Sequence, residues 1–188
     1  MMSSTTAATV DDPPCVPAST PAFATIYRDH VGHVWRTLRR LGVVERDLED
    51  ATHEVFLVVH RRLDTYDPQR PLRPWLTGIA WRVAADERRK ARHTREQMNG
   101  GEGLAAHADP GVGPEGHLAK AEARAMVARG LEALDLDRRV VFVMYEIDGS
   151  TGREIAEALE IPLFTVFSRL RSARSRFKKA IKAMERGS

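Results

Sequence analysis

The chain has 188 residues, of which 43% are hydrophobic and 29% are charged, and its formal net charge is +3; this is the profile of an ordinary soluble protein with room for one or two small domains. No apolar run approaches the roughly 18 residues that a membrane span needs, and the N-terminus lacks the basic and apolar regions of a secretory signal. A lone cysteine excludes an internal disulfide and a multi-cysteine zinc site, and the histidines show no ligand spacing, so we expect a cytoplasmic protein without metal, cofactor or membrane insertion.

The N-terminal stretch divides into a tail and a helix. Residues 1–21 are mostly Ser, Thr, Ala and Pro and contain no lysine or arginine, which predicts a disordered tail. Apolar residues then recur at helical spacing from Phe23 to Leu41, so we expect an amphipathic helix that ends near Gly42.

A second predicted helix, at about residues 46–63, carries an acidic stripe formed by Asp47, Asp50 and Glu54. Their spacing of three and four residues places them on one side of the helix. Such a stripe is usually only a solvated surface. A catalytic role for these carboxylates has little support, because the sequence supplies no partner nucleophile, phosphate-binding loop or metal cluster. We therefore predict no catalytic residue and no enzyme.

A proline-rich segment separates this helix from a third one. Three prolines at residues 66–74 predict a non-helical segment. The helix that follows has an apolar side beginning at Trp75 and a basic end at residues 88–95. Aromatic and basic side chains together are typical of a surface that binds single-stranded nucleic acid, although aromatic residues in helices more often pack in a core.

Residues 94–117 contain clustered glycines and two prolines, which predict a flexible linker. Beyond it we expect one helix from near Leu118 to Leu134 and another that ends at Gly149. The sequence has no alternating strand pattern and no internal repeat. The predicted fold class is therefore all-α, with two small helical domains at residues 22–93 and 118–188.

The C-terminal domain contains a predicted helix-turn-helix. Thr151 and Glu154 form a capping box that opens a helix, and Pro162 marks the start of the next one. The second helix has an apolar stripe, and Ser168, Ser172 and other small polar residues lie on its opposite face. This arrangement is typical of a DNA reader, although similar pairs occur in any helical bundle.

The charge of the last segment favours a nucleic-acid partner. From residue 165 to the C-terminus, eight lysines and arginines stand against one acid, Glu185. The positive charge is thus concentrated in one segment of a chain whose net charge is small. Such a concentration indicates a polyanion as the partner.

Residues 46–90 and 131–177 together resemble a known family. The first segment is similar to region 2, and the second to region 4, of the group IV, extracytoplasmic-function sigma factors of bacterial RNA polymerase. The resemblance implies an alternative sigma factor that binds core polymerase, recognises the −35 and −10 promoter elements, and promotes promoter melting and transcription initiation. It also implies contacts with the β′ clamp helices and the β flap, and restraint by an anti-sigma factor.

The resemblance further implies three sets of binding residues. The set for core polymerase is Asp47, Asp50, His53, Glu54 and His60. The set for the −10 element is Tyr66, Arg70, Leu72, Arg73, Trp75, Arg82, Asp86 and Arg89. The set for the −35 element is Thr165, Phe167, Ser168, Arg169, Arg171, Ser172, Arg174 and Arg176.

Five positions depart from the family's usual pattern. Arg82 replaces an asparagine of the −10 pocket, His53 replaces a glutamine, and Glu160 replaces the glycine of the turn. Phe164 and Phe167 stand where glycine and a basic residue are frequent. These changes suggest an unusual promoter. If Phe167 points outward rather than into the core, a thymine methyl group is its natural partner.

Two alternatives remain open at this point. One is a DNA-binding regulator that acts without polymerase, and the other is a protein-interaction module such as a sigma-like decoy. We also expect the two domains to pack only weakly against each other when no partner is bound.

Overall fold

The computed structural model describes residues 21–97 and 118–186. Within these ranges the chain forms helices and no strand, which confirms the all-α prediction. The helices are α1 (Phe23–Leu41), α2 (Leu48–Arg62), α3 (Leu72–Gln97), α4 (Leu118–Glu132), α5 (Leu136–Phe142), α6 (Gly152–Leu159) and α7 (Leu163–Glu185). A π-helical turn, Val143–Ile147, extends α5. The predicted tail, apart from its last residue, and most of the predicted linker lie outside the described residues, and α3 continues into the first four linker residues.

The first three helices pack together as a bundle around side chains that are fully excluded from solvent, among them Val34, Val55 and Leu76. Helix α1 ends as predicted, because Gly42 adopts the left-handed conformation (φ 89°) that glycine tolerates best. The prediction of a non-helical segment up to Pro74 was wrong at its end, since α3 already begins at Leu72. Pro74 fits there because amide groups in the first helical turn need no helical acceptor.

The last four helices form a second unit around α7, against which α4, α5 and α6 all pack. The capping box is confirmed: the Thr151 Oγ1 accepts from the amide of Glu154 at 3.3 Å, and the Thr151 amide donates to the Glu154 carboxylate at 2.7 Å. Phe142 and Phe177 stack with ring centroids 4.7 Å apart and tie α5 to α7. The turn into α7 places Pro162 at the N-cap, as the sequence predicted.

The two units share one hydrophobic core, so the expectation of weak packing between them was wrong. Buried Met144, Ile155 and Leu159 belong to the same cluster as the core of the first three helices. Buried Arg139 also crosses the boundary. A Cβ on Gly42 would lie only 2.4 Å from its guanidinium, and burial lowers the pKa of Arg139 to about 10. The two units are thus joined by buried side chains from distant parts of the chain, and local sequence patterns do not predict such contacts.

A buried histidine links two helices of the first unit and makes its stability depend on pH. The Nε2 of His33, on α1, lies 3.1 Å from the hydroxyl of Thr77 on α3. Burial, reinforced by the charge of Arg73, lowers the pKa of His33 to about 4. A histidine in an unfolded chain has a pKa of about 6.5, so between about pH 6.5 and pH 4 only the unfolded state takes up a proton. The stability that the neutral His33 contributes is therefore complete above about pH 6.5 and is lost as the pH falls toward 4.

We expect this loss to reach about 3 kcal/mol of unfolding free energy. Urea unfolding of the wild type between pH 7.5 and 4.5 should show the decline, and His33→Gln should flatten it. The exposed His53 provides the control, since His53→Gln should keep the wild-type profile. An unchanged profile in His33→Gln would show that His33 is not the group responsible.

Candidate polymerase-binding and promoter-binding surfaces

The acidic stripe lies on the solvent side of α2. Asp50 and Glu54 are exposed, whereas Asp47, in the short turn before the helix, is half-buried. The reason is the helical period, since the opposite side of α2 is buried in the bundle core. Glu54 forms an ion pair with Arg61 at 3.2 Å, which leaves both groups exposed. The structure therefore presents the stripe as an accessible anionic surface.

Side chains around the stripe extend this surface. His53 and His60 are both exposed, and the ring of His60 meets that of Phe23 edge-on at 5.1 Å. Leu57 lies three residues after Glu54, is 45% exposed, and was not among the residues predicted for this surface. The signal was present in the sequence, since this leucine falls outside the apolar stripe that α2 buries. It adds an apolar group to the charged surface.

The segment before α3 is a compact loop held by its own side chains. Asp67 accepts from the amide of Gln69 at 3.0 Å, and its carboxylate also lies 3.3 Å from the guanidinium of Arg70. Tyr66 is buried, donates its hydroxyl proton to the carbonyl of Arg70, and packs against Trp75 with ring centroids 4.8 Å apart. In this conformation Tyr66 thus supports the loop from its buried side. A residue that stacks on a base must be exposed, and Tyr66 is not.

The other residues assigned to the −10 element follow the outer side of the loop and of α3. Arg70, Arg73, Asp86 and Arg89 are exposed, whereas Leu72, Trp75 and Arg82 are half-buried. Asp86 and Arg89 form an ion pair with each other.

Arg82 is held on both sides. Its guanidinium donates to the carbonyl of Gly78 at 3.3 Å and pairs with the carboxylate of Glu160 at 2.8 Å. It also lies over the ring of Trp81, at 5.9 Å from the centroid. Glu160 was singled out from the sequence only as a departure in the turn, and nothing local to either segment predicts that it contacts Arg82.

The helix-turn-helix presents the N-terminal part of α7 outward. Phe164 is 81% exposed and Phe167 is 49% exposed, although the edge of the Phe167 ring packs so closely on Gly152 that a Cβ there would lie 2.8 Å from it. Ser168 and Arg171 are exposed on the same helix, and Thr165 is half-buried. These residues form the outward face, with an apolar tip at its beginning.

The other predicted −35 residues lie on the flanks of α7, where they contact other residues of the second unit. Each contact joins α7 to a group near α5. Arg169 pairs with Asp137 at 2.7 Å, Ser172 accepts from Arg138 at 2.9 Å, Arg174 pairs with Glu146 at 2.6 Å, and Arg176 lies 3.8 Å from Asp135. The structure thus separates the eight predicted residues into an outward face and two flanks, a distinction that the sequence alone did not provide.

Residues 21–97 and 118–186 contain no group of three or more histidine, cysteine, aspartate or glutamate side chains that could hold a metal ion. None of the helices in these two ranges has the length and the apolar composition of a membrane span.

Comparison with protein families identifies both units. The Sigma-70 region 2 family matches residues 26–94, and the Sigma-70 region 4 family matches residues 124–177. The first match covers α2 and most of α1 and α3, and the second runs from within α4 through α5 and α6 into α7.

Individual relatives span nearly the whole chain. The RNA polymerase sigma factor CnrH of Cupriavidus metallidurans is 30% identical over 170 residues, which cover 86% of this chain and 87% of that protein. The ECF RNA polymerase sigma factor SigW of Bacillus subtilis is 29% identical over 170 residues, covering 86% of this chain and 89% of SigW.

Two solved structures share the fold. The structure of CnrH in complex with the cytosolic domain of CnrY has a TM-score of 0.59 at 26% identity and covers 86% of this chain and 88% of CnrH. The sigma factor RpoE of Bartonella quintana, solved in complex with the anti-sigma factor NepR, has a TM-score of 0.64 at 16% identity and covers 85% and 96%. With both regions matched in order and a relative at 30% identity across the chain, the protein belongs to the sigma-70 family as an extracytoplasmic-function sigma factor that serves in transcription initiation.

Proposed function

We propose that this sigma factor binds core RNA polymerase through the acidic stripe of α2 and the side chains beside it. Exposed carboxylates steer a basic partner and fix its register, while Leu57 supplies the apolar centre that a stable contact needs. His53 and His60 border this surface. The single observation that carries the proposal is that α2 turns its acidic side outward while its opposite side packs into the bundle core.

The proposed −10 surface is formed by the loop at residues 66–73 and the outer side of α3. Arg70, Arg73 and Arg89 would neutralise phosphates, and Trp75 would support a stacked base. Tyr66 contributes by holding the loop in shape. Melting would expose an unstacked base to this surface, and the cost of extruding it is repaid by contacts in a pocket.

The proposed −35 surface is the outward face of α7. A recognition helix reads base edges in the major groove with its N-terminal residues, and an arginine such as Arg171 can bind guanine through two hydrogen bonds. Arg169, Arg174 and Arg176 lie on the flanks, where the DNA backbone passes, and would contact phosphates. Phe164 and Phe167 would then lie against thymine methyl groups.

The remaining assignments complete the proposal. Residues 22–93 act as the polymerase and −10 domain, residues 118–188 act as the −35 domain, and residues 94–117 connect the two. The protein performs no covalent chemistry itself and works in the cytoplasm. The structure of the relative CnrH contains the cytosolic domain of CnrY, and by analogy we propose that an anti-sigma factor restrains this protein as well.

Run-off transcription with core polymerase, the full chain and a library of −35/−10 promoters tests the proposal. We expect initiation at a subset of promoters that share both elements. Core binding without initiation at any promoter would instead favour the decoy. Tight binding to duplex DNA with no affinity for the core would favour a regulator that acts alone.

A further inference from the structure

Helix α6 of the second unit covers part of the surface proposed for the −10 strand. Two carboxylates of this helix and its C-cap face arginines of the first unit. Glu160 lies 2.8 Å from Arg82, and Glu157 lies 3.7 Å from Arg70. Both arginines belong to the set assigned to single-stranded DNA. In this structure the guanidinium of Arg70 thus has a carboxylate where the proposed function requires a phosphate, and the guanidinium of Arg82, at the −10 pocket position, is also paired with a carboxylate.

The backbones of α3 and α6 meet at a point where only glycine fits. A Cβ built on Gly78 would lie 2.4 Å from the carbonyl oxygen of Ala158, and real side chains do not come this close to a backbone oxygen. On either side of this point the helices bury Leu76, Ile79 and Ile155 in the shared core. Gly78 therefore sets the distance at which the two ion pairs can form.

Glu160 occupies a backbone conformation that does not suit it. It is the C-cap of α6 and has φ 57°, the left-handed conformation that glycine adopts without penalty. It is also the only non-glycine residue with positive φ within the described residues. This strained position directs its carboxylate to Arg82. The two positions at which this chain departs from the family's turn glycine and pocket asparagine are thus in contact with each other.

We infer that α6 acts as an internal competitor for the −10 strand, with Glu157 and Glu160 occupying the arginines that the strand would contact. The first unit then binds single-stranded DNA fully only after the interface between α3 and α6 has opened. This inference rests on the proposed role of Arg70 and Arg82 in binding the −10 strand.

The two parts of the interface contribute differently. The side chain of Glu160 is 72% exposed, and an ion pair with so exposed a member adds little to stability. The apolar contact around Gly78 therefore holds α6 against α3. The two carboxylates then occupy the arginines that the DNA strand would otherwise contact. Added salt weakens exposed pairs and strand binding alike, so a backbone change at Gly78 is a cleaner way to open the interface.

The test is Gly78→Ala in the full chain, without polymerase. The added methyl group forces α3 away from α6, and alanine favours the helix in which it stands, so the first unit remains folded. We expect a larger radius of gyration in small-angle scattering. We also expect at least about tenfold tighter binding of a short fluorescein-labelled DNA single strand, because a larger share of the molecules is then open and able to bind it.

Gly32→Ala is the matched control, because Gly32 is an exposed glycine in α1 whose Cβ would meet only the flexible end of Arg36. It should leave both measurements at the wild-type value. A second pair compares charge alone. Glu160→Gln should tighten strand binding by a smaller factor, whereas Glu185→Gln, at an exposed acid near the end of α7, should not.

The inference is overturned if Gly78→Ala keeps the wild-type radius of gyration, or if it opens but binds the strand no more tightly than the wild type. Failure of the proposed function has a different signature. In that case the opened variant would bind the strand, while neither it nor the wild type would initiate transcription with core polymerase.

Discussion

Asp50→Lys/Glu54→Lys is expected to abolish run-off transcription by this sigma factor while leaving its fold intact. Both side chains are exposed on α2, so lysine at these positions causes no steric clash. Reversing two charges at the proposed centre of the interface replaces attraction by repulsion, and like-charge contacts across an interface cost several kcal/mol. Affinity for core polymerase, measured by fluorescence anisotropy, should fall by at least about a hundredfold.

The control reverses two acids that lie close by in the chain. Glu45 and Glu49 are exposed at the start of the same region but outside the acidic stripe. Glu45→Lys/Glu49→Lys changes the net charge by the same amount, so it reports any non-specific effect of charge. Equal losses in the two double variants would show that the acidic stripe has no special role in binding the polymerase.

Arg171→Glu should eliminate initiation that depends on the −35 element. Arg171 lies on the outward face of α7, and a bidentate contact between arginine and guanine is worth about 1–3 kcal/mol of discrimination. A glutamate adds repulsion from the phosphates, so the loss of duplex binding should exceed about a hundredfold. The measurement is run-off transcription from the preferred promoter, paired with the same promoter carrying a scrambled −35 element.

Lys182→Glu is the matched charge reversal further along the same helix, at an exposed position beyond the recognition face. It should weaken transcription modestly and to the same extent on both promoters. If Arg171→Glu also reduced transcription equally on both, Arg171 would be a phosphate contact without a role in sequence recognition.

Local signals in the sequence predicted the helix ends well. The glycine after α1, the capping box of α6 and Pro162 before α7 each act within a single helical turn. Their physical effect therefore does not depend on the rest of the fold. The three prolines predict a start of α3 that is too late, because Pro74 is tolerated in the first turn of a helix.

Contacts between distant segments could not be predicted in the same way. Periodicity identifies a face of a helix, but it does not tell which neighbour covers that face. Arg82 and Glu160 each looked like an isolated substitution, and Ser172 looked like a residue of the recognition face until the structure placed it against Arg138. The packing between the two units could not be predicted for the same reason, because their shared core depends on which apolar stripes of different helices meet.

The left-handed backbone at Glu160 has a consequence for how this protein can evolve. A residue with a Cβ in that conformation lowers the free energy of unfolding by about 1 kcal/mol relative to glycine. Laboratory selection for heat resistance alone should therefore replace Glu160 by glycine repeatedly and independently. Lineages kept under selection for timely transcription should retain the glutamate. The residue at position 160 would then indicate whether selection had favoured thermal stability or regulated DNA binding.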